Sequence, residues 1–196
     1  MRTPRYRDRV GRAFDSITDS MREFIEAQHV FFVATAPSEG GHVNLSPKGY
    51  DSFRLLDANR VAYLDLTGSG AETIAHVRQN GRVTFMFCAF EGKPNIVRLY
   101  GAGSVVFPTD PDFAGLRERF VGSDAEAEGA VRSIIVVDVD RTSSSCGFSI
   151  PFMDYVDDRP RLLDWGRAKS DEQIADYWRE KNTTSIDGIP AIDHPV

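Results

Sequence analysis

One stretch, residues 60–101, constrains this chain more than any other: RVAYLDLTGSGAETIAHVRQNGRVTFMFCAFEGKPNIVRLYG. Residues 60–67 alternate and suit a pleated surface, and Gly68-Ser69-Gly70 then interrupts them. Residues 71–80 place Ile74 and Val77 at helical spacing, with Glu72 in the first turn, where the macrodipole favours an anion. Asn80-Gly81 is a helix stop. Residues 82–90 form an almost unbroken apolar run, residues 91–95 a turn, and residues 96–107 a long strand containing Gly101 and Gly103. Two long strands joined by a short turn are antiparallel, which disfavours a doubly wound parallel sheet. A Ser/Gly loop feeding a helix N-terminus is also a place to bind phosphate.

The flanking chain follows the same logic. Residues 18–28 read as a helix, with Ser20 and Glu23 at capping-box spacing and Met21, Phe24 and Ile25 as its apolar stripe. Residues 29–36 (HVFFVATA) read as a central strand. Residues 42–45 alternate and run into Ser46-Pro47-Lys48-Gly49; Pro47 donates nothing to a ladder, so this strand is an edge or bulges there. A short strand is expected at 53–56, a helix opened by Asp110-Pro111 at 108–120, and a strand at 133–139, followed by a polar segment at 141–147. Beyond residue 148 aromatic residues, charges and turns dominate, and Ser170 opens a helix to about 182. The expected organisation is a polar arm (1–16), a mainly β domain (17–147) and an extension (148–196) packed on the barrel or on a partner chain. Six or seven strands with helices between them indicate a mainly antiparallel barrel with helical covers.

Composition narrows the function. A formal net charge of −6 argues against nucleic acid or an anionic membrane as partner, although the opening MRTPRYRDRVGR is locally basic and reads as a solvated arm or a partner contact. No window has the ~18 apolar residues of a membrane span, and no apolar leader is present, so a cytoplasmic location is expected. Cys88, Cys146 and the four histidines (His29, His42, His76, His194) have no metal-ligand spacing, and no metal is expected. Cys88 reads as a buried small hydrophobe; Cys146 is a turn residue or a thiol lacking a visible activating base.

Taken in order, SPKG, YLDLTGSGAETIAHVRQNGRV, FCAFEG and RLYG, with the later CGFSIPFMDY and SIDGIPA, resemble the pyridoxamine 5′-phosphate oxidase-like superfamily, in its branch of flavin-nucleotide-binding proteins. The resemblance implies an α+β fold, an FMN-binding split β-barrel of antiparallel Greek-key type with a helical C-terminal extension. It also implies a homodimer with FMN in clefts between subunits, and a flavin-dependent oxidoreductase acting on a small molecule. On this reading the cofactor residues are Ser46, Pro47, Lys48, Gly49, Tyr63, Asp65, Thr67, Ser69, Glu72, Thr73 and Arg98, while no catalytic residue is assigned. Other readings within reach are a deazaflavin (F420) reductase, a haem-binding or haem-degrading protein, and a flavin carrier or sensor without catalysis. Two family words are missing. The vitamin B6 oxidases begin the short helix with Ser-Arg-Lys, where this chain has Ala71-Glu72-Thr73, and they carry a late Arg-x-His that is absent here. Pyridoxamine phosphate itself is therefore not the expected substrate.

By residue chemistry alone, several candidates stay open. Lys48 is a phosphate cation or a solvated lysine, and residues 67–73 are a phosphate cradle or an ordinary capped loop. Tyr63 and Asp65, two apart on one strand face, are core and edge or line a cleft. Arg98 points outward, or meets the flavin or a dimer seam.

Overall fold

The computed structural model describes residues 11–125 and 131–193. Much of the basic opening, part of the acidic 122–129 segment and His194 lie outside them. The elements run β1 (Arg12–Phe14), α1 (Asp19–Glu26), β2 (Phe31–Thr35), β3 (Asn44–Lys48), β4 (Phe53–Leu55), β5 (Arg60–Leu66), α2 (Glu72–Asn80), β6 (Arg82–Cys88), β7 (Ile96–Val106), α3 (Phe113–Arg117), β8 (Val131–Ser145), α4 (Arg161–Arg167) and α5 (Asp171–Lys181). The strands form one antiparallel sheet in the order β3-β2-β6-β7-β8-β5-β4, with β1 on β8.

The sheet curls until its ends face each other. Strands β2 and β5 share no ladder, yet the Phe31 and Tyr63 rings lie 5.7 Å apart and the Phe31 and Phe53 rings 5.0 Å apart. Phe85 and Phe87 complete this aromatic interior, both essentially inaccessible. The hydrophobic effect thus closes a barrel that hydrogen bonds leave split. Strand β5 is buried on both faces after Arg60 rather than alternating: Val61 and Tyr63 enter the main core, while Ala62, Leu64 and Leu66 pack with Phe113 and Phe120 in a second one.

Several local readings hold for their stated reasons. Gly81 ends α2 in the left-handed conformation (φ 71°) and donates to Val77 O. Pro47 lies on an edge strand, and Ser170 caps α5 in a reciprocal capping box with Gln173. Others need correction. The cap of α1 is Thr18, whose hydroxyl accepts from Met21 N at 3.3 Å; Ser20 already lies within the helix. Strand β3 runs through Ser46, Pro47 and Lys48 but begins at Asn44 rather than His42. The helix read over 108–120 shrinks to Phe113–Arg117 plus a 3₁₀ turn, because Asp110 ties its carboxylate to Phe107 N. Strand β8 is twice the expected length, since β1 and β7 supply ladder partners for its polar half. Helix α4 and strand β1 have no counterpart in the sequence reading. No helix among the described residues is long and apolar enough to cross a membrane.

Candidate functional site

The split between β3 and β5 is bridged by charge. Lys48 Nζ on β3 lies 3.3 Å from Asp65 Oδ1 on β5, and 5.6 Å from the centroid of the Tyr63 ring. Asp65 Oδ2 accepts from Arg132 Nε at 3.0 Å and lies 2.9 Å from Arg132 Nη2, with Ser133 Oγ donating to it at 3.3 Å. Burial pushes the Asp65 carboxyl upward, but the Arg132 and Lys48 charges and their hydrogen bonds outweigh it and hold the group below the ordinary carboxylate value. Two cations against one carboxylate leave this triad one positive charge in excess. Lys48 is its partly exposed member, whereas Asp65 and Arg132 are sealed.

The same arginine shapes the Gly-Ser-Gly loop, donating through Nη1 to Gly70 O at 3.0 Å. The C-terminal extension holds the loop from the other side: Asn182 Nδ2 donates to Gly68 O and Trp178 Nε1 to Thr67 Oγ1, both at 3.0 Å. Ser69 and Gly70 stay exposed beside a hollow of about 420 Å³, lined also by His42, Asn44, Leu45, Glu72 and Ile186. Glu72 folds back over Gly70, where a Cβ would collide with its carboxylate, and Ile186 N donates to Glu72 Oε1 at 3.3 Å. A carboxylate therefore rests at the helix start, as the macrodipole favours. Nearby, His42 anchors Asp187 at 2.7 Å through Nδ1, and the hydrogen bonds from His42 hold the Asp187 carboxyl below its ordinary value.

Tyr63 is wholly buried, and among the described residues its hydroxyl makes no hydrogen bond of ordinary geometry. Burial, followed by the Asp65 charge, raises its pKa well above the phenolic value, so the hydroxyl keeps its proton and remains a donor. Thr73 is close enough to influence that titration.

The structure thus gathers Lys48, Tyr63 and Asp65 into the split and sets Thr67, Ser69 and Glu72 along its loop, while Thr73 lies on α2 and accepts from Asn44 Nδ2 at 3.0 Å. Ser46 lies on β3 with its hydroxyl on Asn44, Pro47 faces solvent on the edge, and Gly49 opens the turn after β3. Arg98 stands apart on β7, donating to Ser145 Oγ at 3.1 Å. Sequence reasoning missed Arg132, although a lone charge inside the run VRSIIVV signals a buried partner. It also missed Asn44 and Asn182, which no local pattern marks.

A curled antiparallel split barrel with a polar seam at one closure defines the structural class. The profile of the pyridoxamine 5′-phosphate oxidase family matches residues 17–146, and the chain belongs to that family. It is 37% identical over 194 residues to the pyridoxamine 5′-phosphate oxidase family protein ustO of Aspergillus flavus, covering 91% of this chain and 77% of the relative. Among solved structures, HupZ of Group A Streptococcus superposes with a TM-score of 0.52 at 23% identity, over 64% of this chain and 91% of HupZ. A putative pyridoxamine 5′-phosphate oxidase of Lactobacillus delbrueckii superposes with a TM-score of 0.50 at 15% identity, over 66% and 94% of the two chains. These structures share the fold.

Proposed function

We propose that this chain binds FMN, with the phosphate at the β3/β5 seam, and works as a homodimeric flavin-dependent oxidoreductase on a small molecule other than pyridoxamine phosphate. The observation that carries the reading is the excess cation at the seam: Lys48, 23% exposed in its side chain, beside a Gly-Ser-Gly loop and a buried phenol with no acceptor among the described residues. An orphaned buried donor costs about 1–3 kcal/mol, so its retention favours a ligand that accepts from it. The first-turn N–H groups of α2 lack intrahelical acceptors and add donors on the same side. These residues fit a phosphate, with Glu72 as the internal anion that must turn aside. Bound flavin supplies the redox chemistry itself, so the chain need only bind, orient and shield it. Homodimerisation is supported by exposed apolar side chains beside the site (Val43 75%, Leu45 63%) and along the extension (Phe152 82%, Val156 91%), a surface that a second copy would cover.

The test begins with the absorption spectrum of the purified protein, in which flavin, deazaflavin and haem are distinct. FMN and riboflavin titrations on wild type and Lys48→Ala then locate the phosphate. Loss of one charge-assisted hydrogen bond, about 1.5–3 kcal/mol, should weaken FMN roughly ten- to hundredfold while riboflavin binding barely changes. Equal losses for both ligands would make Lys48 structural, and no loss for either would leave it a solvated lysine. A monomer in sedimentation at micromolar concentration would remove the two-subunit cleft.

A further inference from the structure

On the wall of the hollow beside the Gly-Ser-Gly loop stands a carboxylate–imidazole pair that takes no part in the seam. Asp187 grips one residue with both oxygens: Oδ1 lies 2.7 Å from His42 Nδ1, and Oδ2 accepts from the His42 backbone N–H at 2.8 Å. The backbone is shaped for this contact. Gly41 turns at φ 66°, and a Cβ there would lie 2.6 Å from Asp187 Oδ2, while Asp187 N donates to the buried Ser185 Oγ at 3.2 Å. The carboxylate is sheltered, its side chain 15% exposed. The imidazole side chain is 75% exposed, and its Nε2 makes no hydrogen bond among the described residues.

This pairing fixes where the imidazole hydrogen sits. The His42 hydrogen bonds hold the Asp187 carboxyl below its ordinary value, so it is ionised and only accepts. The ring hydrogen therefore belongs on Nδ1, and the neutral ring presents a bare lone pair at Nε2. Fastening the turn needs no such order, since a pair this exposed adds little stability. The hollow is also the negative side of the site. Glu72 lines it with His42, beside the exposed aliphatic side chains of Val43, Leu45 and Ile186, and among the described residues no lysine or arginine does. Glu72 uses one acceptor position on Ile186 N–H and keeps the others. Lys48 and Arg132 face the seam instead.

We propose that His42 is a catalytic base: held by Asp187, its Nε2 takes a proton from the ammonium group of a small aliphatic amine that seats against Val43, Leu45 and Ile186 with its charge on Glu72. One N–H bond of the substrate breaks, an Nε2–H bond forms, and the electron pair stays on the amine nitrogen. Asp187 balances the imidazolium that results. The free amine is the form that can be oxidised, so this step prepares the substrate for redox chemistry. The carboxylate that a phosphate displaces from the helix start thereby gains a cation to meet. The proposal deepens the oxidoreductase reading and rests on it for the later step, but the pair and the amine site can be measured without cofactor.

The first measurement is the His42 tautomer in the full-length protein, by long-range ¹H–¹⁵N NMR at a pH where the ring is neutral. The expected result is hydrogen on Nδ1, moving to Nε2 in Asp187→Asn, whose amide can donate to Nδ1. Hydrogen on Nε2 in wild type would overturn the proposal. The second titrates butylamine or butanol into methyl-labelled protein. Butylamine should shift the Val43, Leu45 and Ile186 methyls and the His42 Nε2 resonance, and leave the exposed Val121 unmoved. Glu72→Gln should lose these shifts, and butanol should cause none. Equal shifts from both probes, or none from butylamine, would overturn the amine site. The third uses His42→Asn, which keeps a donor for Asp187 at the Nδ1 position but has no base. Its melting temperature and butylamine binding should match wild type, while anaerobic reduction of bound flavin by butylamine falls roughly a hundredfold or more. Equal rates in the two proteins, or none in either, would overturn the catalytic role. Should wild type bind no flavin, the oxidoreductase reading fails by itself. The base is then judged by its Nε2 resonance, which moves if butylammonium donates to it and stays still if the proposal is wrong.

Discussion

Asp65→Asn is expected to destabilise the fold by about 3–5 kcal/mol, because it strands Arg132 in the interior without a counter-charge. Lys48 can swing into solvent; Arg132, 4% exposed in its side chain, cannot. The same guanidinium holds the Gly68–Gly70 carbonyls, so the loop should loosen as well. Replacing the buried pair together, as Asp65→Leu with Arg132→Met, should recover most of the loss, since removing both charges removes both desolvation costs. The pH dependence has a definite sign. The folded-state pKa of Asp65 lies below its ordinary value of 3.8, so its contribution is complete above that value and is lost as pH falls through the folded pKa. The stability gap between wild type and Asp65→Asn should therefore hold from neutral pH down to about 4 and narrow below it. Denaturant melts across that range measure it, and a gap that widened with acid would contradict the triad.

Gly101→Ala should be comparably damaging. Gly101 sits where the β7/β8 register shifts, and a Cβ there would overlap the Asp138 carbonyl oxygen and come within 3.0 Å of Val137 Cγ1. Ladder backbone cannot move aside as a side-chain tip can. The expected cost is at or above ~3 kcal/mol, the upper end for overpacking, with the bend that lets β7 and β8 wrap the barrel lost along with it. Gly115→Ala is the control. It lies inside α3 with nothing within 4 Å of the added Cβ, so it should leave stability unchanged or raise it by up to ~1 kcal/mol. Equal midpoints for the two variants would show that the bulge tolerates a side chain.

Legibility followed the range of the interaction. The β6/β7 hairpin, the Gly81 stop, the Ser170 cap and the edge placement of Pro47 each depend on a few adjacent residues and could be read directly. The caps that failed, Ser20 for Thr18 and Asp110 as a helix opener, were choices among neighbouring side chains of similar chemistry, settled by which oxygen reaches a free amide. Strand β8 was underestimated because polar residues 141–145 become strand only when β1 and β7 arrive to pair with them. The proposed site divides the same way. Lys48, the Gly-Ser-Gly loop and the Tyr63/Asp65 face were visible as residue types in an order, whereas Arg132 and Asn44 became relevant only through their partners.

By itself, then, the chain's pattern of apolar runs, turns and glycines determined an antiparallel barrel, with a polar loop leading into a short helix. Those features arise from backbone preferences and from burial, both of which act within a few residues. Tertiary structure alone decided that β3 closes on β5 through Lys48 and Asp65, 17 positions apart, that Arg132 neutralises the buried carboxylate, and that Glu72 is drawn over Gly70 by Ile186, 114 positions away. Charges in a sealed seam find partners by proximity in space, and that proximity exists only once the sheet has curled.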